Sequence, residues 1–166
     1  MGTKELTVII DKAKPVDASI LTEIAFAAKR AWKYPERYFE IWEKELTISP
    51  GYIHKNIVFV ARSQDTVVGF YSIAHNPDDR FFGEVFMKKG FWMEHIFVSP
   101  DYQQMGVGSK LVKHVKSTCR IKGIQKLQIF VDPFARGYYE KIGAVYSYNS
   151  KSSIPGRSIP VYELWP

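Results

Sequence analysis

Apolar positions recur along this chain in two rhythms, near every second residue and near every third or fourth, and the switches between them mark its elements. Over residues 5–11, Leu6, Val8 and Ile10 alternate with polar or mixed positions, which predicts a first strand. From Lys14-Pro15 the period lengthens. Ile20, Ile24, Ala27, Ala28, Ala31 and Trp32 make one stripe of an expected helix, with Pro15 in its first turn and Asp17 near its positive end. Tyr34-Pro35 breaks it. A second helix is expected over about 35–46, with Tyr38, Phe39 and Trp42 at helical spacing. Residues 56–62 and 67–75 read as strands joined by Ser63-Gln64-Asp65-Thr66, a hairpin with a four-residue loop. Residues 76–90 predict a long hairpin excursion, with a short strand of its own or partial disorder both open.

Residues 92–144 carry the clearest succession. The run 92–98 is apolar and aromatic except at Glu94 and His95, and Ser99-Pro100 stops it, as suits a largely buried strand. A polar loop, 101–105, leads to Gly106-Val107-Gly108-Ser109 at the head of a helical pattern. Val107, Leu111, Val112, Val115 and Cys119 share one face, Lys110, Lys113, Lys116 and Arg120 lie largely off it, and Gly123 ends it. Residues 126–131 form a further strand, and a last helix runs from Asp132-Pro133 to Gly143. Strands over 144–149 and 159–164, joined through Pro155-Gly156-Arg157, complete the order β-α-α-β-β-β-α-β-α-β-β. The expectation is one mixed α/β domain over 1–166.

Composition narrows the classes. The 166 residues are 46% hydrophobic, enough for a globular core rather than a disordered chain. No apolar run reaches the length of a membrane span, and no signal-peptide pattern opens the chain. Cys119 is the single cysteine, so an internal disulfide is excluded; a cytoplasmic setting is expected. His54, His75 and His114 have no metal-ligand spacing, so no metal is expected. The net charge of +6 is either a solvated basic surface or an attraction for an anionic ligand. The basic residues are spread out and no nucleic-acid motif occurs, so neither nucleic acid nor membrane is expected as a partner.

The glycine loop narrows the ligand. The first amides of a helix lack internal partners and carry the positive end of its dipole, and glycines let a bulky anion approach. A P-loop lysine motif is absent. A dinucleotide fingerprint needs a third glycine, where this chain has Leu111. Asp132 does sit near the expected ribose-binding acid, but a longer loop with Pro100 separates strand from glycines. The remaining pattern is Q-x-x-G-x-G, at Gln103, Gln104, Met105, Gly106, Val107 and Gly108. It resembles the acetyl-CoA signature of the GNAT acetyltransferases. Val98-Ser99-Pro100 is similar to the end of their central strand, Val68-Gly69-Phe70 to their V-G-[FY] strand, and residues 135–143 to their A-x-x-[FL]-Y-x-x-x-G helix.

The resemblance covers nearly the whole chain. It implies a central mixed sheet of about seven strands flanked by four helices, with acetyl-CoA as cofactor. It places backbone groups of Ile96, Phe97 and Val98 along the pantetheine arm and Gln103, Gln104, Met105, Gly106, Val107, Gly108 and Ser109 around the pyrophosphate. Asp132 stands at a cofactor position where the family often has Asn. Lys110 or Lys113 would meet an outer phosphate, unless both merely solvate a helix face. The first two helices imply an acceptor wall with Trp32, Tyr34 and Tyr38, whose spacing equally suits simple packing.

Acetyl transfer to an amine must remove a proton from the amine and return one to the thiolate. A carboxylate in an apolar strand is costly unless used, which singles out Glu94 as base, in contact with substrate. The fragment M-E-H-I-F-V-S also resembles the strand in spermidine/spermine acetyltransferases where a Glu is the base. A structural ion pair is the competing account. Strand alternation sends His95 to the opposite face, as a satisfied histidine. Tyr139, a phenol of pKa about 10, matches the family's acid, and Tyr138 the apolar position beside it. The expected function is direct transfer of the acetyl group of acetyl-CoA to a primary amine of a small molecule or peptide. A non-catalytic acyl-CoA-binding sensor remains the alternative, and a homodimer stays open.

Overall fold

The computed structural model describes residues 6–166. Its elements are β1 (Ile9–Lys12), α1 (Ala18–Arg30), α2 (Glu36–Leu46), α3 (Pro50–Lys55), β2 (Ile57–Ser63), β3 (Thr66–Asn76), β4 (Arg80–Phe82), β5 (Val85–Met87), β6 (Gly90–Val98), α4 (Val107–Lys122), β7 (Leu127–Phe130), α5 (Arg136–Lys141), β8 (Val145–Lys151) and β9 (Ser158–Leu164). Strands β1, β2, β3, β6, β7, β9 and β8 join in that order into a seven-stranded sheet, while β4 and β5 form a separate hairpin. Residue 5, where the first strand was expected to begin, lies outside the described residues; β1 starts at Ile9.

Two cores form because the strands are apolar on both faces. Tyr71, Ile73 and Met93 face Val107, Leu111 and Val115 of α4. Phe70, Val58 and Val60 face Leu21, Ile24 and Ala25 of α1 and Phe39 and Trp42 of α2. Gly69 lets α4 sit close to β3: a Cβ there would meet the Phe97 carbonyl oxygen at 2.8 Å and Leu111 Cδ1 at 3.2 Å.

Several elements depart from the sequence pattern. A fifth helix, α3, is opened by Ser49, whose hydroxyl accepts from the Tyr52 amide, and by Pro50 in the first turn. The buried face of α1 is Ala18, Leu21, Ile24, Ala25 and Ala28, so the expected stripe through Ala27, Ala31 and Trp32 is rotated outward. Between α1 and α2, Lys33 takes a positive φ of 57°, which turns the chain. The excursion over 76–90 folds as the β4–β5 hairpin, held by Asn76 Nδ2 donating to the Met87 and Lys88 carbonyls.

Two features of β6 shape the site. Its parallel register with β7 joins Phe91 to Leu127 and Trp92 to Gln128, whereas its antiparallel register with β3 continues to Val98. Among the described residues, the β7-side edge of β6 beyond Trp92 therefore has no ladder partner, and the sheet splays into a wedge. At the same place the register with β3 steps from Ser72–His95 to Ile73–Met93, so Glu94 is the extra residue of a bulge. A bulge bends its strand and re-aims its side chains.

Candidate functional site

The wedge widens into a cleft of about 1660 Å³. One wall is Lys29 and Trp32 at the end of α1 with Trp42 of α2. The floor is Glu94 to Val98 of β6. Gln103, Gln104, Gly106, Gly108 and Ser109 close one end, and Tyr138, Tyr139 and Arg157 another side.

At the head of α4, Gly106 adopts φ 83°, ψ 0°, a left-handed conformation that a side chain would strain. Gly108 differs. A Cβ there would meet only ordinary contacts, Tyr138 Oη at 3.5 Å and Val98 Cγ2 at 3.9 Å. Packing within the protein does not demand glycine at 108, so the bare backbone is open to a ligand. The helix that follows is 16 residues long, and its first amides face the cleft end with the dipole behind them. Val107 puts its side chain into the α4 core and Met105 gives its carbonyl to the Leu6 amide; neither lines the cleft. Lys110 donates to the Leu6 carbonyl at 2.8 Å.

Glu94 is accessible to solvent, but within a concave floor. Desolvation pushes its carboxyl above the ordinary carboxylate range, the Tyr52 hydroxyl draws it back, and Glu45 adds to the rise. His95 does not lie on a separate face from Glu94, as alternation predicted. The bulge breaks the alternation, and both neighbours approach Tyr52. His95 is buried, and its Nε2 is 2.8 Å from the Glu45 carbonyl oxygen. That oxygen is an acceptor, so Nε2 carries the proton and Nδ1 accepts from Ser72 Oγ at 2.7 Å. The Tyr52 hydroxyl lies 2.9 Å from the same Ser72 oxygen. Burial lowers the His95 pKa from 6.5 to about 4, so the imidazole stays neutral.

Tyr139 points into the cleft from α5, and among the described residues its hydroxyl has no hydrogen-bond partner. Burial, then Tyr138 and Asp132, raise its pKa well above that of an ordinary phenol, which keeps the proton in place. Tyr138 is not core as its apolar match implied. It is 40% exposed and reaches toward Gly108.

Asp132 has its carboxylate fully engaged. It accepts from Lys29 Nζ at 3.0 Å, Tyr34 Oη at 2.6 Å and the Phe134 amide at 3.0 Å. Burial would raise its pKa, but the Lys29 charge and these donors outweigh it and hold it low. The side chain pins α1 to the end of β7.

The aromatic wall needs correction. Trp32 does line the cleft, stacked 5.4 Å from Phe134 and 43% exposed. Tyr34 and Tyr38 do not line it. Their rings pack edge-on against Trp42 at 5.1 and 5.4 Å, and that indole, though buried in the α1–α2 core, borders the cleft. The sequence reading also missed Tyr52 and Arg157. Helical spacing marks Trp42 only as a packing residue, Tyr52 falls outside every element legible in the sequence, and Arg157 stands in what reads as a plain turn. Among the described residues, no group of three or more His, Cys, Asp or Glu side chains converges as a metal site would require. No helix among them is long and apolar enough to cross a membrane.

The comparisons with known proteins agree with this geometry. The family model described as acetyltransferase (GNAT) family matches residues 21–144. No match is found among curated protein sequences. The fold is similar to that of a GCN5-related N-acetyltransferase from Rhodopseudomonas palustris, with a TM-score of 0.73 and 20% identity over 100% of this chain and 99% of that one. It is similar to the PaiA N-acetyltransferase of Thermoplasma acidophilum in complex with coenzyme A, with a TM-score of 0.73 and 18% identity over 97% and 100% of the two chains. It also resembles a GNAT family acetyltransferase from Brucella melitensis in complex with acetyl-CoA, with a TM-score of 0.64 and 21% identity over 97% and 89%.

Proposed function

The chain belongs to the acetyltransferase (GNAT) family, and from that premise we propose that it transfers the acetyl group of acetyl-CoA directly to a primary amine. The observation that carries the reading is the meeting of three features on one cleft: the splayed edge of β6, the open glycine at 108, and Glu94 with Tyr139. The residues fit the ligand. The unpaired edge over 96–98 offers amides and carbonyls to a pantetheine arm. The amides of 104–109 and the room at Gly108 suit a pyrophosphate. Asp132 is left out of that set, because its oxygens already serve Lys29, Tyr34 and Phe134.

Acetyl-CoA brings an activated thioester. The chain supplies alignment and proton handling. An alkyl ammonium has a pKa of about 10 and must lose a proton to act as a nucleophile. Glu94 receives that proton, and its raised pKa makes it a better acceptor than an ordinary carboxylate. Tyr139, protonated and without a hydrogen-bond partner among the described residues, offers its hydroxyl proton to the departing sulfur. Trp32, stacked on Phe134, forms the exposed wall against which the acceptor is held.

The test is free-thiol release from acetyl-CoA across a panel of primary amines. Release with at least one amine and mass-spectrometric detection of its N-acetyl product are expected. Tight acetyl-CoA binding with no release from any amine would favour a non-catalytic sensor.

A further inference from the structure

We infer that Arg157 is the docking point for a carboxylate on the acceptor, so that the acceptor is an amine that also bears an acid; this deepens the acetyl-transfer reading and rests on it. Arg157 sits in the β8–β9 connection, which is built to hold it still. The Ser152 amide donates to the Arg157 carbonyl at 2.9 Å and the Arg157 amide to the Ile154 carbonyl at 3.1 Å. Ser152 Oγ caps the turn by accepting from the Ile154 amide at 3.0 Å, and Ile154 is buried in the α1–α2 core.

From this anchored loop the guanidinium enters the cleft. Its carbon lies 4.9 Å from the Tyr34 ring centre and 5.7 Å from that of Trp42. One nitrogen donates to Tyr34 Oη at 2.9 Å. Among the described residues, no carboxylate pairs with it. The nearby acid is already committed. Asp132 faces Lys29 directly and accepts a hydrogen bond from the Tyr34 hydroxyl. Two cations and one carboxylate leave this corner with one positive charge in excess.

A half-buried guanidinium against aromatic rings loses hydration without an ionic partner to restore it. Its planar fork matches a carboxylate with two parallel hydrogen bonds. Tyr34 fixes the orientation from behind, which makes it a positioning residue and accounts for its place outside the cleft surface. The same cleft carries Glu94. Glu94, with Glu45 close by on the same cleft, suits an ammonium and the Arg157 guanidinium suits a carboxylate, so together they suit a molecule that carries both.

The test measures thiol release with matched acceptors that differ in one group: an amino acid, its carboxamide and its phosphonate analogue. The wild type is expected to favour the carboxylate form, and Arg157→Gln to lower kcat/KM for it by roughly 10- to 100-fold, mostly through KM. The carboxamide should respond about twofold or less, and Arg157→Lys should recover part of the loss. Equal losses on acid and amide in Arg157→Gln would assign the residue to packing and overturn the inference. So would a wild type indifferent to the carboxylate, or one that prefers the phosphonate. If no amine releases thiol, the transfer reading fails separately. Calorimetric binding of the same compounds then decides Arg157: selective loss of acid binding in Arg157→Gln upholds the site, and equal binding overturns it.

Discussion

The Tyr34 hydroxyl donates to the Asp132 carboxylate over 2.6 Å, joining the turn after α1 to the end of β7 across 98 positions of sequence. With Lys29 on its other oxygen, Asp132 is a fastening between the acceptor wall and the sheet. Asp132→Asn keeps the size and removes the charge. It is expected to cost about 1.5–3 kcal/mol of stability, the range for a hydrogen bond to a charged group. Acetyl-CoA affinity should change little, because the carboxylate is taken up internally. Urea unfolding and calorimetric titration measure the two effects. A large loss of affinity with stability intact would return Asp132 to the cofactor site.

Gly108 makes the opposite prediction. The space beside it accepts a Cβ without a clash, so Gly108→Ala should fold with near-native stability. Gly108→Val fills the approach to the helix amides and should abolish measurable acetyl-CoA binding while the circular dichroism spectrum persists. Unchanged affinity in the folded Val variant would remove the glycine loop from the site.

Much of this was legible in the chain itself. The apolar runs of β2, β3 and β6 mark strands covered on both faces, the stripe Val107, Leu111, Val115 follows the period of a helix, and the structure buries or half-buries most of those positions. What escaped depends on relations between distant segments. The bulge at Glu94 is a mismatch of register with β3, and one strand's alternation does not contain it. Trp42 and Tyr38 have the same helical spacing, and tertiary packing alone puts the indole at the cleft. Arg157 meets Tyr34 from 123 residues away, so its loop reads as a turn and nothing more. The helix α3 is different: Ser49-Pro50 is an ordinary start signal, but six residues are too few to show a helical period.

His95 should tie stability to pH. Its folded pKa, about 4, lies below the ordinary 6.5, chiefly through burial. The neutral imidazole therefore favours the native state in full above about pH 6.5, and that contribution is lost as pH falls toward 4, where the unfolded chain binds the proton more readily. Between about pH 7.5 and pH 5 the loss is on the order of 2 kcal/mol. His95→Gln lowers stability at neutral pH but should flatten this dependence. Urea midpoints at both pH values test it, and an unchanged slope in the variant would show that other groups set the acid sensitivity.

Tyr139→Phe keeps the ring and removes the donor. It is expected to slow turnover with little change in acetyl-CoA affinity, since among the described residues the hydroxyl has no hydrogen bond to lose. A fall in affinity equal to the fall in rate would make Tyr139 a binding residue rather than an acid.

We propose that Glu94 is the base of proton-assisted acetyl transfer in this cleft. The most direct test is the pH–rate profile of Glu94→Gln against wild type on an amine that the wild type acetylates. A fall in kcat of ~10²–10⁴-fold is expected at neutral pH, the usual worth of a general base, with partial recovery at high pH as the amine loses its proton unaided. Acetylation by Glu94→Gln at the wild-type rate across the whole pH range would contradict it.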